Sequence, residues 1–327
     1  MYLEKEIAIS NKKVFYRVIG KGATVVLVHG FGEDGTIWKS QIEALKNKFQ
    51  LIIPDLPGSG RSEMIENMSM EGLAEVVKNI LETEARLTCL SGRQASPTGE
   101  NKTQVPLVEK AEINNASSTG GVSAADLPLR KSPESFGPLG EVKGAFLIGH
   151  SMGGYIALAF IEKYWHMLKG YGLFHSTAYA DTEEKVSNRK KGIHFMQSHS
   201  AFEFLKTTVP GLYSPATKEK KYELVNEHLN NVQYFTEAPL VAYYQSMIKR
   251  PGRTHLLKQI PLPVLFVAGR YDTAVPINDV FSQSHLPDLS YIHILESSGH
   301  MGMVEEPEKS NSLLIQYFTS IEKFHLS

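Results

Sequence analysis

Cysteine is nearly absent: the single Cys89 rules out any intrachain disulfide. One lone thiol suits a reducing compartment, and the expected setting is cytoplasmic. An excess of charge of either sign is also missing. The 34 Lys and Arg against 35 Asp and Glu leave a net charge of −1. A nucleic acid or an anionic membrane surface is therefore not an expected partner. No apolar run is long enough to span a bilayer. The start, Met1-Tyr2-Leu3-Glu4-Lys5-Glu6, lacks the basic end and long apolar stretch of a secretion signal, so none is expected. No His, Cys and Glu residues stand at metal-ligand spacing, so no metal or organic cofactor is expected. Internal repeats are missing as well. What remains is a chain of 327 residues, 42% of them hydrophobic, about right for one large α/β domain with additions.

The pattern along the chain alternates between strand and helix. Tyr2–Ile9 and Lys13–Ile19 show rough polar–apolar alternation, as in an antiparallel pair with one wet face. Thr24–Val28 and Leu51–Ile53 are short β-branched or aliphatic runs, the signature of strands buried on both faces. Between and after them, Ile37, Trp38, Ile42 and Leu45, then Leu73, Val76, Val77, Ile80 and Leu81, recur at helical spacing. Later strands are expected at Phe146–Ile148, Gly170–Phe174, Val264–Ala268 and Tyr291–Leu295, with a last helix starting near Pro307. Such alternation predicts a mainly parallel sheet covered on both faces, whose ligands sit at the carboxyl ends of the strands.

One stretch dominates the reading. Phe146-Leu147-Ile148-Gly149-His150-Ser151-Met152-Gly153-Gly154 ends an apolar run on a serine spaced G-x-S-x-G, and a helical pattern follows from Tyr155. At such an elbow the serine backbone is strained, and Gly149 and Gly153 remove side chains that would collide. The hydroxyl is then presented beside a helix N-terminus, which favours developing negative charge. A serine hydroxyl is a weak nucleophile at neutral pH. It needs a base in reach, and the base needs a third group to hold it. Of the 12 histidines, His300 follows a strand in a glycine-containing loop. His150 adjoins the serine but should point elsewhere, His29 is placed to brace its own loop, and His175, His194 and His199 belong to or border the following helical region. Asp272 also follows a core strand, with Asp181 its main competitor and a self-bonded turn aspartate the plainer reading. Ser151, Asp272 and His300 stand in the chain order Ser…Asp…His. Acyl transfer also needs donors for an oxyanion. The N–H groups of Met152 and of Phe31, the latter between Gly30 and Gly32, are the candidates.

These motifs together resemble the α/β-hydrolase superfamily, specifically esterase-like members with a helical cap. The resemblance rests on His29-Gly30-Phe31-Gly32, Asp55-Leu56-Pro57-Gly58-Ser59-Gly60-Arg61-Ser62, the Ser151 elbow, Gly269-Arg270-Tyr271-Asp272 with Pro276, and Gly299-His300. It implies an α/β fold, a mainly parallel doubly covered sheet with an inserted helical cap. It also implies Ser151 as nucleophile, Asp272 as acid, His300 as base, and Phe31 and Met152 as oxyanion donors. Similar folds with an aspartate at the elbow are dehalogenases and epoxide hydrolases, and Ser151 argues against both. The expected core comprises residues 1–85, 142–175 and 256–327, with the cap at 176–255. Residues 86–141 are rich in Gly, Ser, Thr, Asn and Pro and are expected to form a largely disordered insertion. The expected activity is hydrolysis of a small or medium carboxylic ester through an acyl-enzyme. C–C bond hydrolysis or a lyase reaction with the same residues, or ligand binding with little turnover, are the alternatives.

Overall fold

The computed structural model describes residues 2–93 and 144–326. Among these residues eight strands form one sheet: β1 (Tyr2–Ile9), β2 (Lys12–Gly20), β3 (Ala23–Val28), β4 (Phe49–Pro54), β5 (Ala145–His150), β6 (Leu168–Phe174), β7 (Val264–Gly269) and β8 (Ser290–Leu295). Their spatial order is β1-β2-β4-β3-β5-β6-β7-β8. β1 and β2 are antiparallel, β2 runs antiparallel to β4, and every pairing from β4 through β8 is parallel. The buried aliphatic runs explain the centre of the sheet, since β5 and β7 are buried at every position.

The edge differs from the sequence expectation in one respect. β1 alternates between exposed and half-buried residues, as an outer strand with one wet face should. β2 is buried from Val14 through Gly20, because β1 and β4 flank it and side chains cover both faces. The guanidinium of Arg61, for example, lies 3.8 Å from the centroid of the Phe15 ring.

Twelve α-helices fill the connections among the described residues. α1 (Lys39–Leu45) follows a 3₁₀ turn at Gly35–Trp38, and α2 (Met70–Arg93) follows the loop after β4. The 3₁₀ turn is capped by Asp34, whose carboxylate accepts the Thr36 N–H. α2 runs to Arg93, past position 86, where the polar tract begins in the sequence. The rest of that tract, the expected disordered insertion, lies outside the described residues. α3 (Met152–Tyr164) leaves β5 directly.

Between β6 and β7 every regular element is helical: α4 (Glu183–Ser198), α5 (Ala201–Thr208), a 3₁₀ turn at Val209–Leu212, α6 (Pro215–Lys220), α7 (Tyr222–Val232), α8 (Glu237–Lys249) and α9 (Thr254–Gln259). Thr182, Ser200 and Ser214 cap α4, α5 and α6 through their hydroxyls, so the breaks in this region are written in its hydroxyl residues. α10 (Ile277–Ser284), α11 (Gly302–Glu305) and α12 (Pro307–Leu326) complete the fold, and α12 begins at Pro307 as its first-turn proline predicts.

The topology places the site. β4 lies on one side of β3 and β5 on the other. The loops leaving β3 and β5 therefore turn to opposite faces and open a crevice at their carboxyl ends. The loop after β4 is held rigidly beside it. Buried Asp55 accepts Arg17 Nη1 at 2.7 Å and the Gly35 N–H at 3.0 Å on Oδ1, and the Arg61 N–H at 3.1 Å on Oδ2. Gly60, at φ 52°, passes so close that a Cβ there would lie 2.3 Å from Asp55 Oδ2.

Candidate active site

Ser151 stands between β5 and α3 with φ 51° and ψ −114°, in the left-handed region that a side chain rarely occupies. Such strain persists only where the surroundings enforce it. Here they do: the Ser151 N–H is tied to Phe174 O at 2.9 Å, and its carbonyl accepts Gly154 N–H at 2.9 Å and Ser176 Oγ at 2.7 Å. The glycines expected at the elbow are needed for close approach. A Cβ on Gly149 would lie 2.1 Å from Gly153 O, and one on Gly153 would lie 2.5 Å from Val28 O. The serine side chain makes no capping bond to α3, so the hydroxyl is not used to stabilise the helix. Met152 is the first residue of that helix, where backbone N–H groups lack intrahelical partners.

The loop after β3 packs directly on this elbow. A Cβ on Gly30 would be 3.2 Å from Ser151 Cβ and 3.0 Å from His150 Nδ1. Glu33 fixes the loop from within, accepting the Gly30 N–H at 2.7 Å and meeting His150 Nδ1 at 2.9 Å. Burial alone would raise the Glu33 carboxyl. Facing His150 and the Gly30 N–H reverse that and hold it at about 2. His29 braces the same loop, as its position implied: Nε2 accepts the Leu56 N–H at 2.9 Å. The Phe31 ring turns toward the helical region between β6 and β7. It stacks on Tyr244 with centroids 4.3 Å apart and meets Phe204 and Tyr243 edge-on.

Asp272 and His300 are joined. His300 Nδ1 lies 2.8 Å from Asp272 Oδ2. The other carboxylate oxygen accepts the N–H groups of Ala274 and Val275, each at 2.9 Å. The turn aspartate and the histidine partner are thus the same residue, one oxygen serving each role. Burial would raise the Asp272 carboxyl, but facing His300 and His175 hold it well below the usual carboxylate range. Burial would also lower the His300 imidazole. The charge and hydrogen bond of Asp272, aided by Glu33 and Glu305, outweigh this and raise it above 6.5.

His300 reaches the elbow through His150. Nε2 of His150 meets the His300 carbonyl at 3.0 Å, and the two ring centroids are 5.0 Å apart. The helical region holds the same loop from above. The His300 N–H donates to Leu212 O at 2.6 Å, while Glu305 accepts both Gly299 N–H at 2.7 Å and Ser214 N–H at 2.8 Å. His300 is only 3% exposed.

Ser151, Phe31, Asp272 and His300 therefore come from four loops at one edge of the sheet. Asp181, the rival acid, is occupied elsewhere. It pairs with Arg189 Nε at 2.6 Å and with Arg250 Nη2 at 2.9 Å. Three buried neighbours of these residues were not assigned from the sequence: Glu33, Glu305 and His175. His175 Nδ1 lies 3.1 Å from Asp272 Oδ2, the oxygen that also faces His300. No ligand spacing is visible along the chain, yet in space His175, Asp272 and His300 bring one nitrogen or oxygen atom each within 4.8 Å of the others. Hydrogen bonds between ring nitrogens and carboxylate account for that cluster.

The comparisons with known proteins agree with this architecture. Residues 25–312 match the family model described as "Alpha/beta hydrolase family", and the chain belongs to that family. A 64-residue stretch is 36% identical to a pimeloyl-[acyl-carrier protein] methyl ester esterase of Vibrio cholerae, covering 20% of this chain and 25% of that protein's length. Over 91% of the chain and 89% of the relative, it is 20% identical to 3-oxoadipate enol-lactonase 1 of Acinetobacter baylyi. Among solved structures, a thermophilic esterase from Thermogutta terrifontis superposes with TM-score 0.73 at 22% identity, covering 98% of this chain and 99% of that one. The enol-lactonase from Burkholderia xenovorans LB400 gives TM-score 0.73 at 14% identity over 96% of this chain and 100% of that one. At such identities these structures share the fold.

Proposed function

We propose that the protein is a serine hydrolase that cleaves a carboxylic ester of a small or medium substrate through an acyl-enzyme. The observation that carries this reading is the His300–Asp272 hydrogen bond of 2.8 Å, at a sheet edge where His150 links the His300 loop to a serine at φ 51°. Relatives named as a methyl ester esterase and an enol-lactonase support it, since a lactone is a cyclic ester. His300 Nε2 takes the Ser151 proton as Oγ attacks the ester carbonyl. Asp272 holds the ring by Nδ1 and stabilises the imidazolium. The N–H groups of Phe31 and Met152 face the oxyanion. His300 then protonates the leaving alcohol, and water activated by the same ring releases the acid. The helical region at 176–255 serves as a cap over the core formed by 1–85, 142–175 and 256–327, and its Tyr244 and Phe204 border the Phe31 side of the site. The single cysteine fits a cytoplasmic setting.

The pH profile tests the base. Only neutral His300 can accept the serine proton, and its imidazole is raised above 6.5. The kcat/KM for a short p-nitrophenyl ester should therefore rise with pH, with its midpoint above 6.5, and fall away on the acid side. A midpoint below 6.5 would mean that the base is not the histidine held by Asp272.

A further inference from the structure

His175 lies at the carboxyl end of β6, is fully buried, and plays no part in the reaction just described. Its placement is unusual on three counts. Its backbone is left-handed, at φ 50°, and is pinned by a His175 N–H bond to Val267 O at 2.9 Å. Its Nδ1 lies 3.1 Å from Asp272 Oδ2. Its Nε2 lies 3.2 Å from the Gly302 nitrogen, which can only donate.

These contacts dictate the ring's state. A carboxylate accepts, so Nδ1 must carry a proton; a backbone N–H donates, so Nε2 must not. Both nitrogens are then satisfied only in the neutral Nδ1–H form. Gly302 is shaped to this arrangement, because a Cβ there would lie 2.4 Å from His175 Nε2. The imidazole is accordingly lowered to about 4: burial acts first, Asp272 opposes it, and His300 and His150 add to the lowering.

We infer that His175 is a positioning residue: as a neutral Nδ1–H donor it shares Asp272 Oδ2 with His300, fixing the carboxylate and tempering its pull on the base. This rests on the serine-hydrolase reading above. Asp272 then has every acceptor position filled, two by backbone N–H groups and two by imidazoles. Its charge is divided between two donors instead of being spent on one. The groups facing His300 are Asp272 after β7, His175 after β6, His150 at the end of β5, Glu33 after β3 and Glu305 on α11. Removing the His175 donor leaves the others in place and lets Asp272 act more fully on His300, so the base becomes harder to deprotonate.

The test compares His175→Leu, which lacks the donor, with His175→Asn, whose amide can donate from nearly the Nδ1 position and which tolerates a left-handed backbone. With a short p-nitrophenyl ester, His175→Leu should lower kcat roughly tenfold with little change in KM and move the acid limb up by about half a pH unit or more. His175→Asn should recover most of both effects. Equal behaviour of the two variants, or an unmoved acid limb in His175→Leu, overturns the inference. Should His175→Leu not fold, ring ¹⁵N shifts of the unmodified protein decide instead. His175 should remain in the neutral Nδ1–H form from about pH 5.5 to about pH 8. A charged ring or an Nε2–H form in that range overturns the inference. Ser151→Ala, assayed alongside, separates the two claims: activity retained there removes the serine-hydrolase reading, whereas its loss with unaltered His175 variants removes only the role of His175.

Discussion

Replacing Ser151 by alanine should lower kcat for a short ester by about 10⁵–10⁶, with the fold unchanged. The size follows from what is removed. Without the hydroxyl no acyl-enzyme forms, and the His300–Asp272 pair has no group to activate, so the remaining rate comes from oxyanion donors and binding alone. The fold should tolerate the change because the elbow is held by backbone atoms. Phe174 O, Gly154 N–H and Ser176 Oγ all bond to the Ser151 main chain, and the hydroxyl caps nothing. Alanine adopts the left-handed backbone no more easily and no less easily than serine. Stability should therefore change by only about 0.5 kcal/mol or less, as measured by chemical denaturation. Retention of more than a small fraction of the activity by a folded Ser151→Ala would remove the serine from the chemistry.

Asp272→Asn should be the second most severe change, lowering kcat by about 10³–10⁴. The reason is a count of donors. One carboxylate oxygen accepts Ala274 and Val275 N–H groups, and the other faces His300 Nδ1 and His175 Nδ1. An asparagine must turn its NH₂ toward one of these pairs. Toward the imidazoles it drives His300 out of the tautomer that leaves Nε2 free to accept a proton. Toward the backbone it sets three N–H groups against one another in a buried turn. Either orientation leaves buried donors unpaired, so stability should fall as well, by about 1–3 kcal/mol. The two losses are read separately, by kinetics at saturating ester and by urea unfolding. An Asn variant with near-normal kcat would show that the carboxylate does not hold the base.

The parts of the candidate site that are legible in the chain are those that leave a mark in neighbouring residues. Ser151 is flanked by glycines because Gly153 O and Val28 O come within reach of any Cβ. Asp272 follows the buried run of β7, and His300 follows β8, a half-buried apolar run at the edge of the sheet. Parallel strands put both at one edge, whatever their distance in sequence. His175 left no such mark. It opens a helical region rich in polar residues, and its contact with Asp272 depends on β6 and β7 being neighbours, which no local pattern reveals. Glu33 and Glu305 were hidden for a similar reason. Each is a carboxylate in a chain full of them, and their buried state comes from loops folding back onto Gly30 and Gly299. The burial of β2 was missed because polar Arg17 and Lys13 gave it the look of a strand with a wet face, while Asp55 supplies the ion pair that lets Arg17 be covered.

The convergence of alcohol, imidazole and carboxylate is tested most directly by a fluorophosphonate probe read out by peptide mass spectrometry. A reactive serine activated by a held histidine should give one covalent adduct, on the peptide containing Ser151, and His300→Ala should lose it while remaining folded. A folded protein that takes no label, or that takes it on another residue, would contradict the assignment of Ser151 and His300 to one reacting pair.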